Sequence, residues 1–189
     1  MTLVSVVYPA AYDPRSWDTF FELTGAAAAT LTGLFFIAFS LRLQDLQLSV
    51  LIRTRARYLL LWLIVITLAS ALVLMPGQSH AALAAEILAL STCSAAYTAW
   101  SAARAARLEP PPFSVDLLVR WVGMAATWLL GIGAGISLIV GQGGGLFYLA
   151  FAVLLGIALE VASAWSLIVG IGKDTAPARP APSAEDERG

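Results

Sequence analysis

Five apolar runs, each long enough to cross a bilayer at about twenty residues, divide this chain. They run from about Trp17 to Leu43, Tyr58 to Met75, His80 to Arg104, Val115 to Val140 and Leu146 to Gly172. The segments between them are polar or rich in helix breakers. Arg42 to Arg57 is half polar and reads as an interfacial helical extension. Pro76-Gly77-Gln78-Ser79 and Gly141-Gln142-Gly143-Gly144-Gly145 are turns, and Pro110-Pro111-Pro112 is a stiff linker in which no helix can continue. The pattern predicts an all-α membrane protein, a bundle of five transmembrane helices forming one domain over residues 1–172. Met1 to Ser16 is expected at the interface, and the Pro-, Ala- and charge-rich tail 173–189 is expected to be disordered and cytoplasmic.

Composition agrees with that pattern. Of the 189 residues, 59% are hydrophobic and only 12% charged, against about a quarter charged in soluble domains. The first sixteen residues lack a basic stretch and a cleavage pattern, so no removable leader is expected. Cys93 is the only cysteine, which excludes an intramolecular disulfide and leaves no Cys-based metal spacing.

Charge sets the expected orientation. With five spans, all but one of the eleven Lys and Arg residues fall on one side, Arg15 being the exception. The bias predicts the N-terminus outside and the C-terminus in the cytoplasm of a plasma (inner) membrane. Arg53, Arg55 and Arg57 form a cluster expected to attract anionic lipid headgroups.

Three carboxylates fall within spans: Glu22, Glu86 and Glu160. Exposed to lipid each would be costly, so each implies a partner, water or a proton. Glu22 and Glu86 lie at similar depth and could share a site. Arg120 is the expected partner of Glu160. On the third span, Glu86, Cys93, Tyr97 and Arg104 fall within about 40° of arc, with Ser94 and Ser101 beside them. Such a stripe either lines a water-filled path or glues helices together.

Small residues recur at four-residue spacing as Gly25, Ala29 and Gly33; as Gly123, Thr127, Gly131 and Gly135; and around Gly156 with Ala152, Glu160 and Ala164. These ladders predict close packing of spans one, four and five, with a leftover ladder free for a homo-oligomer. His80 reads as an exposed interfacial residue, Cys93 as a small core residue, and several tryptophans as interface anchors.

The run Phe20 to Leu41 and the turn Leu74-Met75-Pro76-Gly77-Gln78 followed by the Glu86 segment resemble a group of small bacterial integral membrane proteins. That group has no established activity, and some members are labelled modulators of a membrane-bound ATP-dependent protease. The resemblance implies a bacterial inner membrane and a multi-helix bundle, and it brings no catalytic residues. There is no zinc-protease motif, no phosphate loop and no intramembrane aspartate pair, so no enzyme, cofactor or nucleic-acid partner is expected. Two functions fit. One is a structural or regulatory protein acting through helix packing, with itself or another membrane protein. The other is an oligomeric ion or proton conduit using the intramembrane carboxylates.

Overall fold

The computed structural model describes residues 10–41, 50–108 and 115–174. Expectations for the first nine residues, for 42–49, for the proline linker and for the tail from 175 lie outside the described residues, as do the side chains of Arg53 and Arg55.

A 3-10 turn, Pro14–Trp17, leads into α1 (Asp18–Leu41); α2 (Val50–Val73), α3 (His80–Leu108), α4 (Val115–Val140) and α5 (Leu146–Asp174) follow. No strand occurs among the described residues. All five helices are long and apolar enough to span a membrane. The helical extension expected ahead of the second span is present from Val50 onward, continuous with α2, and α3 continues to Leu108 rather than ending at Arg104. In both, basic residues continue the helix beyond the apolar stretch, because Arg has high helix propensity and its charge reaches polar surroundings.

The turns follow from residue chemistry. Gly77, Gly141, Gly143 and Gly145 have positive φ, a backbone region that glycine enters without a Cβ penalty. Ser79 then caps α3, its hydroxyl accepting from the Ala82 amide at 3.2 Å. Before α1, Asp13 accepts from the Arg15 amide at 3.2 Å and from the Ser16 hydroxyl at 3.0 Å.

Packing joins α2 to α3, α3 to α4, α4 to α5 and α5 back to α2. These four helices close a ring. The fifth, α1, packs principally on α2, outside the ring. Where the ladders predict packing of α1 with α4 and α5, its chief partner is α2, and α5 is met at its start, where the Trp17 and Phe147 rings lie edge to face at 4.7 Å. Neighbours run antiparallel, as the meetings of Gly131 with Ser91 and of Gly135 with Leu88 show for α3 and α4. One end of the bundle carries the two glycine-bearing turns. The other carries Arg57, Arg104, Arg107 and Arg120 and is called here the arginine end.

The core is formed by Leu63, Ile66, Leu83, Ile87, Leu146 and Val153 within the ring, and by Phe21 and Ala28 where α1 meets α2. Outward lie Leu23, Leu34, Phe36, Leu129, Phe151 and Trp165, all exposed. Apolar groups cover both the inside and the outside, as lipid demands of a membrane bundle.

Candidate functional site

The centre of the ring is closed by two tryptophans. Trp62 of α2 and Trp128 of α4 meet edge to face, with ring centroids 4.3 Å apart. Trp62 and Trp128 thus pack inside the bundle instead of anchoring at the interface, while Trp100, Trp121 and Trp165 remain exposed. Room for Trp62 comes from Gly156 of α5: a Cβ there would collide with the indole Nε1. Glu160 lies one helical turn further along α5, only 7% exposed, and its Oε2 has no hydrogen-bond partner among the described residues. The Nε1 of Trp62, 6% exposed, likewise has none.

Arg120, half-buried on α4, is close enough for its charge to act on Glu160. Around them the arginine half of the ring is hydroxyl-rich. Tyr58 of α2 reaches α3, where Ser101 Oγ donates to its hydroxyl at 3.1 Å. Thr127 is buried on α4, its hydroxyl donating to the Gly123 carbonyl at 2.8 Å. Sequence reasoning named Glu160, Arg120, Thr127 and Gly156 but missed Trp62. The signal that could have found it is a glycine one turn before a carboxylate, a clearing on the same helix face.

The polar stripe of α3 is corrected. Cys93, Tyr97 and Arg104 face outward, and only the flank with Ser91, Ser94, Thr98 and Ser101 turns inward. A serine or threonine hydroxyl can donate to the carbonyl one turn back and be buried without any other partner. Thr98 does so at 2.8 Å, and Ser94 bonds the Leu90 carbonyl in the same way. Tyr97 and Arg104 instead flank Trp100, with the Arg104 guanidinium 5.7 Å from a Trp100 ring centroid. An exposed aromatic–cation group of this kind suits a membrane interface.

At the turn end, Glu86 accepts a hydrogen bond from Gln78 Nε2. Glu22 is exposed on α1 and makes no hydrogen bond or ion pair among the described residues. The shared Glu22–Glu86 site is thus not formed, because Gln78 takes Glu86 and α1 packs elsewhere. An open cleft of about 560 Å³ lies between the start of α1 and the α2–α3 turn, with Asp13, Arg15, Asp18, Gln78, Ser79 and His80 among its lining. Beside it Ser137 ties the α4–α5 turn together, accepting from the Gly145 amide at 2.9 Å and donating to the Gln142 carbonyl at 2.5 Å. Tyr12 closes this knot by donating to the Gly143 carbonyl at 3.1 Å.

The ladders divide by use. Gly25 lets Ser70 of α2 approach, Gly123 receives Leu159 of α5, and Gly131 and Gly135 receive α3. Ala29 is exposed, and a Cβ on Gly33 would meet nothing within 4 Å. Glu22, Ala26, Ala29 and Gly33 therefore form one exposed strip along α1, since spacings of four, three and four keep residues on one helix face. Cys93 is exposed, which corrects its reading as a core residue. His80 is exposed as expected, and Arg57 is exposed at the arginine end. Among the described residues no cluster of His, Cys, Asp and Glu could hold a metal ion.

No family model, curated protein or solved structure matches this chain.

Proposed function

We propose that this chain is a non-enzymatic multi-pass protein of the bacterial inner membrane that works by helix association. A second copy docks on the outer face of α1. The observation that carries this reading is the exposed strip Glu22, Ala26, Ala29 and Gly33 on a helix that packs principally on one neighbour. Only 17% of the most apolar stretch of α1 is buried, against 33–44% for the ring helices, so α1 has the most surface left to cover. Small side chains let two backbones approach, which is how helices associate where lipid offers no hydrophobic driving force. In a two-fold pair each residue of the strip faces its own copy, and two facing Glu22 carboxyls can share a proton in a hydrogen bond. Arg57 and its neighbours in the cluster hold the cytoplasmic end at anionic headgroups.

The test is cysteine cross-linking of the full chain in membranes, in a Cys93→Ser background. Ala29→Cys is expected to give an oxidised dimer, whereas Leu129→Cys, on an exposed site of α4, is expected to stay monomeric. Equal cross-linking at both positions, or none at Ala29→Cys, refutes the α1 interface.

A further inference from the structure

We infer that Glu160 and Trp62 together form a proton-binding site, in which a water molecule bridges the indole N–H to the carboxyl and which opens to the arginine end alone. Each residue is more than nine-tenths buried, and each offers a polar atom without a hydrogen-bond partner among the described residues. The two atoms are chemically opposite. An indole N–H can only donate, and a carboxylate oxygen accepts.

The backbone brings them to one place. Trp62 Nε1 lies against the face of α5 where Gly156 has no side chain. Helical side chains lean toward the N-terminus of their helix, so the Glu160 carboxyl reaches back over the turn that Gly156 leaves open. A buried polar atom left unpaired costs free energy, and here a single small group that accepts one bond and donates another satisfies both. Water does this, and hydronium delivers the proton. A metal cation is disfavoured because the indole N–H and Arg120 direct positive charge at the site, and an anion is disfavoured by Glu160 itself. When hydronium gives its proton to Oε2, one O–H bond of hydronium breaks and one forms on the carboxyl; the water that remains then accepts from both the carboxyl O–H and the indole N–H.

The surrounding groups fix the direction of entry. Of the elements packed on α5, α4 faces Glu160 with Arg120, and α2 carries Tyr58 one turn beyond Trp62 toward the arginine end. The titratable residues of α3 in that half, Cys93, Tyr97, Arg104 and Arg107, face outward. Hydroxyls of Tyr58, Thr98 and Ser101 continue the polar lining toward the arginine end. On the other side the Trp62–Trp128 pair and the buried Leu63, Ile66 and Val153 block the ring. The site is therefore blind, entered from one side without a path across.

The test uses the full chain in liposomes and infrared difference spectra between acidic and alkaline buffer. The expected result is a protonated-carboxyl band that disappears in Glu160→Gln, persists in Glu86→Gln and changes frequency in Trp62→Phe. Circular dichroism controls for folding, and Glu160→Asp, which keeps the carboxyl, retains a displaced band. A spectrum unchanged by Glu160→Gln, or a Glu160 band indifferent to Trp62→Phe, overturns the site. Changing buffer on one side at a time reads the entrance, and the band is expected to follow the compartment that faces the arginine end. A response to the opposite compartment, or proton flux across the vesicle that Glu160→Gln abolishes, overturns the blind geometry.

Discussion

Gly156 and Gly33 look alike in the sequence, each a small residue within a ladder on a membrane helix, yet they occupy opposite kinds of place. Gly156 is sealed against the Trp62 indole in the middle of the ring, whereas Gly33 opens onto empty space on the outer face of α1. The difference shows that glycine serves two purposes in this bundle. Inside the ring it admits a large neighbour that belongs to the same chain. Outside, in the proposed pairing, it leaves room for α1 of a second copy.

The same substitution at the two positions separates these purposes most strongly. Gly156→Leu drives a side chain into Trp62 and is expected to destabilise the bundle by about 3 kcal/mol, at the upper end of typical overpacking costs. Unfolding in detergent followed by tryptophan fluorescence measures it. In detergent dilute enough to keep the chain monomeric, Gly33→Leu is expected to leave that transition within about 0.5 kcal/mol of the wild type, as surface changes do. If both variants unfold alike, the contrast between ring and α1 fails.

A second comparison is sharper still about where polar groups are settled. The α4–α5 turn closes its hydrogen bonds around Ser137, whereas Trp62 Nε1 and Glu160 Oε2 deeper in the ring have no partner among the described residues, as is also true of Ser70 Oγ and Gln78 Oε1 nearer the α2–α3 turn. Ser137→Ala strips the Gly145 amide of its acceptor and is expected to cost about 2 kcal/mol in the same unfolding experiment. A loss smaller than that of an exposed control such as Thr30→Ala would show that the knot adds no stability.

The smallest expected effect is at the interface. Arg104→Gln removes the cation beside Trp100 and is expected to cost about 0.5 kcal/mol, in line with exposed cation–π pairs. The red-edge emission of Trp100, isolated in a background lacking the other tryptophans at exposed sites, reads the change in its surroundings. An unaltered spectrum would count against the pair.

The five spans and the chemistry of their turns were legible in the sequence, because run length, Pro76-Gly77 and the Gly141–Gly145 cluster act locally. Which face of each helix turns inward was not. In a soluble protein the apolar stripe marks the core, but here Leu34 and Phe36 face out and are as apolar as Leu63 facing in. For the same reason Cys93, Tyr97 and Arg104 align on the wheel although they face out, while the buried flank carries Ser94 and Thr98, whose hydroxyls satisfy themselves within the helix. The small-residue ladders were visible, but spacing alone does not say that Gly131 and Gly135 meet α3 whereas Gly33 meets nothing. Glu160 was recognisable as a carboxyl within a span, and Arg120 as the basic residue on the facing helix. Trp62 was not, since its distance from Gly156 is set by tertiary packing of α2 on α5.

The central claim is that the outer strip of α1 holds two copies together. Single-molecule subunit counting of the full chain in a planar bilayer tests it most directly, comparing the wild type with the double variant Ala29→Leu, Gly33→Leu. The account predicts two-step photobleaching for the wild type and single-step photobleaching for the variant, with circular dichroism unchanged. Single steps for both, or two steps that survive the double substitution, would contradict it.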